Sequence, residues 1–208
     1  PAPDCAARVA CPPYDIISSA EARQLASGNA DSFLRVVKPE IDLPVGTDEF
    51  SDAVYARGAA NLAEFIRRGL LVRDGRPAYY PYRLEWRGRR QTGLLCLASV
   101  EEYDRGAIRR HELTRRDREV DRTRHGDAQN GTVEPVFLAY HDRGGIDEII
   151  RSFCAGHAPV YDLARDESVR HTVWVMDDPR HVDRLRDLFA SVDALYIADG
   201  HHRAFAAS

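Results

Sequence analysis

Apolar residues recur along this chain at two spacings, and the spacing decides which element each stretch predicts. Ser18 and Glu21 stand three apart, as in a capping box, and Ala22, Leu25 and Ala26 follow before Gly28, which predicts a short helix. Pro12, Pro13, Tyr14 and Asp15 ahead of it read as an extended turn. Residues 32–38, rich in Phe, Leu and Val and stopped by Pro39, predict a strand. Thr47 can cap a longer helix in which Phe50, Val54, Leu62, Phe65 and Ile66 recur at helical spacing and Gly69 serves as the stop. Residues 70–73, 78–86 and 91–100 then predict three strands joined by tight turns at Asp74-Gly75 and Arg87-Gly88-Arg89, an antiparallel meander.

From residue 107 to 124 the pattern turns polar, with only Ile108, Leu113 and Val120 as anchors among crowded arginines and carboxylates. A helix polar all round reads either as a solvated face laced with i,i+4 pairs or as a ligand-facing one. After Gly131 strands and helices alternate: strand 135–140, helix 146–153, strand 169–176, helix 179–190 opened by Asp178-Pro179, and strand 195–198. The expected class is α+β, with a meander and helices in residues 1–100 and a mixed sheet in residues 101–208.

Composition narrows the function classes. With 208 residues and 44% hydrophobic content the chain can bury a sizeable core. Lys plus Arg number 29 against 33 Asp plus Glu, a net charge of -4, which argues against nucleic acid as a partner. The cysteines at 5, 11, 96 and 154 are scattered, with no CxxC pair, which fits a reducing cytoplasm. No apolar run approaches the roughly 20 residues of a membrane span. Both ends read as cut, the last within a few residues of the start of a helix.

The segment ADGHHR, residues 198–203, carries the sharpest chemical signal. A short apolar strand from Leu195 leads into Asp199-Gly200 and then into His201, His202 and Arg203 as a first helical turn. A helix start offers unpaired N–H donors and partial positive charge, Gly200 lets backbone approach an oxyanion, and Arg203 adds a fork of donors, so a phosphate fits there. Asp199 can hold a divalent cation, take a proton, or cap the helix. A zinc site is disfavoured because adjacent histidines on a helix diverge by about 100° and an i,i+4 pair is the usual ligand spacing. Glu112, flanked by His111 and arginines, is a candidate general base, although nearby cations lower carboxylate basicity and a surface ion pair is the plainer reading. His125, His141, His157, His171 and His181 share no ligand spacing and read as surface or strand residues. No GxxxxGK[ST], GxSxG or GxGxxG occurs.

Pro13-Tyr14-Asp15, Phe33-Leu34-Arg35-Val36, Lys38-Pro39-Glu40, His111-Glu112, Asp121-Arg122, Pro135-Val136-Phe137-Leu138 and ADGHHR together resemble the family called domain of unknown function 1015, almost end to end. Members of that family are about twice this long, and the family name implies no activity. The strand ending in DGHHR, with an earlier His-Glu, is also similar to the ParB and sulfiredoxin superfamily, whose free serine kinases bind nucleotide phosphates at this motif. That resemblance implies ATP or ADP with Mg²⁺, Glu112 as the base, Asp199 as metal or hydroxyl ligand, and Gly200, His201, His202 and Arg203 as the phosphate cradle. Sulfiredoxins carry a reactive cysteine directly after the glycine; His201 stands there, which excludes sulfinic-acid reduction. Nothing resembles the DNA-binding helical domain of ParB partition proteins.

The expected function is nucleotide-dependent phosphotransfer to a small hydroxyl compound, free serine the leading acceptor. The alternative is a nucleotide-binding regulator without turnover, and a third reading is a nucleic-acid-associated switch.

Overall fold

A computed structural model describes residues 1–141, 144–164 and 169–208. The described elements are helices α1 (Ala6–Val9), α2 (Ser19–Ala26), α3 (Leu34–Val37), α4 (Asp52–Arg67), α5 (Val100–Asp104), α6 (Arg116–Gln129), α7 (Ile146–Gly156), α8 (Pro179–Phe189) and α9 (His201–Ala207), and strands β1 (Tyr80–Trp86), β2 (Arg89–Leu95), β3 (Ile108–Arg109), β4 (Phe137–Tyr140), β5 (Tyr161–Ala164), β6 (Val169–Val173) and β7 (Leu195–Asp199). The class is α+β. Two compact units share the chain: Pro1–Arg73 with Thr114–Pro135 and His202–Ala207, and Asp74–Leu113 with Val136–His201 and Ser208.

The first unit is helical. α2 opens with a full capping box, in which the Ser18 hydroxyl accepts from the Glu21 N–H at 3.3 Å and the Glu21 carboxylate accepts from the Ser18 N–H at 2.7 Å. α4 starts after Ser51, so Thr47 and Phe50 lie ahead of it. It buries Val54, Tyr55, Gly58 and Phe65 at helical spacing. At its end the Gly69 N–H reaches Ile66 O and the Leu70 N–H reaches Phe65 O at 2.9 Å, a Schellman closure that spends on the helix the donors a strand at 70–73 would need.

Residues 32–38 form no strand. Leu34, Val36 and Val37 are all buried, and the Lys38 N–H closes a helical turn onto Leu34 O at 2.7 Å. Pro39–Asp42 follows as a 3₁₀ turn. Packing on α2 and α4 overrides the β-preference of the local sequence.

The second unit holds both sheets. β1 and β2 form a hairpin, and β6 and β5 extend it to a four-stranded antiparallel sheet ordered β2-β1-β6-β5. The meander of the sequence reading is therefore a hairpin completed by a distant pair of strands. The other sheet is mixed and ordered β3-β7-β4, with β7 parallel to β3 and antiparallel to β4. Ile146, Ile150, Phe153 and Cys154 of α7, at i, i+4, i+7 and i+8, pack with Leu185 of α8 and with Trp174 and Met176 to make the core. No helix among the described residues is long and apolar enough to cross a membrane.

Gly58 tests how tightly α4 is held. A Cβ built there would stand 2.9 Å from both Gln129 Nε2 and Pro39 Cγ and 3.3 Å from Val36 O, while Gln129 Nε2 is itself bonded to Val36 O at 3.0 Å. Gly58→Ala should therefore lower stability by about 1–3 kcal/mol despite the better helix propensity of alanine. At Gly126 in α6 the nearest atom stands 4.0 Å away, and Gly126→Ala should gain roughly 0.5–1 kcal/mol. Urea midpoints of the two variants should move in opposite directions.

Candidate functional site

The mixed sheet decides what meets the ADGHHR segment within the second unit. Ile108 pairs with Leu195 and Arg109 with Tyr196, so the chain leaving β3 runs beside the end of β7. It bends at Glu112. Glu112 Oε1 then lies 3.0 Å from His201 Nδ1, with the Glu112 side chain 55% exposed and His201 only 3%. The His111 ring stands edge-on to His201, with centroids 4.4 Å apart and planes at 87°. Arg109 lies over the Tyr196 ring at 5.6 Å.

The predicted helix start is present. Asp199 ends β7 as an exposed residue, Gly200 turns the chain at φ +90°, and His201 opens α9. That φ lies in the left-handed region, where a side chain would be strained. His201 belongs to the second unit and His202–Ala207 to the first. His202 Nε2 accepts from the Arg115 N–H at 3.0 Å, and Arg203 Nη1 lies 3.5 Å from Asp15 Oδ2. Of the six predicted site residues, Glu112 and His201 are brought into contact; Asp199 and Gly200 directly precede His201 in the chain; His202 and Arg203 have partners of their own.

The first unit contains a second polar constellation, which sequence reasoning touched only in part. α6 places Asp121, His125 and Gln129 on its buried face, at i, i+4 and i+8. Asp121 accepts from the Tyr55 hydroxyl at 3.0 Å and holds Arg122 through two bonds of 3.0 and 2.6 Å. Arg122 lies 4.1 Å over the Tyr14 ring, and Glu134 stands 3.7 Å from its guanidinium, too far for a hydrogen bond. Lys38 and Glu40 form a buried pair at 3.1 Å, with Ser19 Oγ donating to Glu40 at 2.7 Å. His125 is thus a buried helix residue against the Tyr55 ring rather than a surface or strand histidine. His157 and His181 flank Phe153, and His171 lies on β6. Glu134 was missed because no period marks it: it is a lone carboxylate before Pro135, and only the fold buries it.

Burial pushes the Glu134 carboxyl up from 4.5 to about 7, against the opposing pull of Arg122 and Arg203. Asp121 already neutralises Arg122, so a protonated Glu134 leaves no cation uncompensated. Burial also raises the Tyr14 phenol, and it lowers His125 from 6.5 to about 4 with Arg122 adding to the effect.

These two shifts oppose each other. The folded protein keeps the Glu134 proton up to about 7 while the unfolded chain releases it near 4.5, so that contribution is full below 4.5 and is lost as pH rises through 7. The His125 contribution is present above 6.5 and is lost as pH falls through 4. Glu134→Gln mimics the neutral acid. It should match the wild type near pH 4.5 and become progressively more stable than it up to pH 7, as read from urea midpoints across that range; a stability difference independent of pH would overturn the assignment.

Neither a curated protein nor a solved structure matches the chain significantly. A family model described as a protein of unknown function, DUF1015, matches residues 1–208, and the chain belongs to that family.

Proposed function

We propose that the protein transfers a phosphoryl group from ATP or ADP to a small hydroxyl compound, free serine being the leading acceptor. The observation that supports this reading is the contact of the Glu112 carboxylate with His201 Nδ1, beside the turn that starts α9. The resemblance of DGHHR to the motif of free serine kinases supplies the reaction class.

In this reading buried His201 holds the Glu112 carboxylate in one orientation, and Glu112 takes the proton from the acceptor hydroxyl. The hydroxyl oxygen bonds to the terminal phosphorus as the bridging P–O bond breaks, and the shortened nucleotide leaves with that electron pair. Gly200 to Arg203 cradle the phosphates. Asp199, an exposed carboxylate at the strand end, suits Mg²⁺, which takes oxygen ligands and offsets the charge of the phosphates. A second reading, nucleotide binding without turnover, is favoured by the partners that His202 and Arg203 already have in Arg115 and Asp15.

Glu112→Gln should lower single-turnover phosphorylation by on the order of 10²–10⁴-fold while nucleotide affinity stays nearly constant. Asp199→Asn should weaken Mg²⁺-nucleotide binding as well as rate. If Glu112→Gln keeps most of the wild-type rate, Glu112 is a surface ion-pair partner and the mechanism is wrong. Nucleotide with Mg²⁺ should also raise the thermal midpoint of the full protein, less so for Arg203→Ala. A shift without phosphorylation of any hydroxyl acceptor selects the regulator.

A further inference from the structure

The end of the mixed sheet gathers more than a base and its partner. His111, Glu112 and His201 each offer one ligand atom, and these atoms all lie within 4.8 Å of one another. We propose that these three side chains form a binding site for a divalent transition-metal ion of the zinc class, separate from any Mg²⁺ that accompanies a nucleotide.

The donor set argues for that metal class. Two imidazole nitrogens and one carboxylate oxygen suit Zn²⁺ and its neighbours, whereas Mg²⁺ and Ca²⁺ prefer oxygen throughout. Three protein ligands also leave a coordination position open, the pattern of zinc sites that bind water or substrate. The usual objection, that neighbouring helical histidines point apart, does not apply. His202 is turned to the Arg115 backbone, and the second imidazole comes from His111 across the β3–β7 pairing.

The geometry is close to ligation. Ligands bonded at about 2.0–2.1 Å in a tetrahedron stand roughly 3.3 Å from one another, so the widest pair has to close by at most about 1.5 Å. Glu112 Oε1 and His201 Nδ1 already meet at 3.0 Å. The side chains free to make the adjustment are His111 and Glu112, which are exposed, while His201 is held by the sheet end and by α9. A fixed buried ligand with two adjustable exposed ones gives a site that can load from solvent.

Cobalt provides the test, because Co²⁺ in a low-symmetry site of nitrogen and oxygen ligands absorbs in the visible and no turnover is needed to read it. Titrating the full protein with Co²⁺ should give saturable visible bands that stoichiometric Zn²⁺ abolishes and millimolar Mg²⁺ leaves unchanged. His111→Ala and Glu112→Gln alter exposed side chains, so both should keep the wild-type circular dichroism. Each should weaken Zn²⁺ binding by calorimetry by at least the roughly 10–100-fold seen when mere supporting residues of a metal site are changed. Absence of the bands, displacement by Mg²⁺, or Zn²⁺ affinity unchanged in His111→Ala would each overturn the site. None of these outcomes depends on whether the protein phosphorylates anything.

Discussion

The pairing of Ile108 and Arg109 with Leu195 and Tyr196 is two residues long, and the contact of His111 and Glu112 with His201 depends on it. β7 lies between β3 and β4, so its course is fixed on both sides before it reaches Asp199. Ile108 and Ile197 are buried, which ties the register to apolar packing and not to hydrogen bonds alone. A shift of one residue would turn Ile197 outward and carry the bend at Glu112 away from His201. A residue far upstream in the chain therefore reaches the first residue of α9 because a short parallel ladder holds the two segments in step.

The first unit depends on a different constraint. Its helix α6, packed on α4, has a buried face that is polar: Asp121, His125 and Gln129. Tyr55 and Arg122 answer Asp121, the Val36 carbonyl accepts from Gln129 Nε2 and His125 stands against the Tyr55 ring, whereas Gln129 Oε1 is buried without a hydrogen-bond partner among the described residues. The same helix turns Arg122 under the Tyr14 ring, which links the Pro13-Tyr14-Asp15 turn to the buried charges. The bonds of Asp121 to Tyr55 of α4 and of Gln129 to Val36 of α3 fix which way α6 faces.

That polar face also explains where sequence reading succeeds and where it stops. Elements with caps and apolar periods were legible: the Ser18–Glu21 box, α7 with its i, i+4, i+7 and i+8 residues, the Asp178-Pro179 start of α8, and the turn from β7 into α9. The polar run at 107–124 and the helix α6 that carries it on to Gln129 were not, because hydrophobic periodicity says nothing when the inward side chains are Asp121, His125 and Gln129. Residues 32–38 misled for the converse reason: Leu34, Val36 and Val37 suit a strand locally, and the burial that folds them into a helical turn comes from α2 and α4. The motif showed that residues 198–203 were unusual. It could not show that His201 would meet His111 and Glu112 while His202 met Arg115, since those partners lie 87 or more positions away and are chosen by the sheet.

Glu112 and His201 stand at the centre of both functional readings, and the two make opposite demands on the same atoms. To orient a general base, His201 must donate a hydrogen at Nδ1 to the carboxylate, and the carboxylate must keep a lone pair for the acceptor's proton. To hold a transition metal, the coordinating nitrogen must be bare and the carboxylate must give that lone pair to the ion. A metal bound by His111, Glu112 and His201 and a proton in transit to Glu112 therefore exclude each other. If both readings hold, this exclusion is a coupling free energy that acts in both directions: a metal ion at these residues would weaken productive binding of a hydroxyl acceptor, and a bound acceptor would weaken the metal by the same factor. One carboxylate at the end of a two-residue ladder would then be enough to make phosphoryl transfer sensitive to transition metal, with no change of fold required.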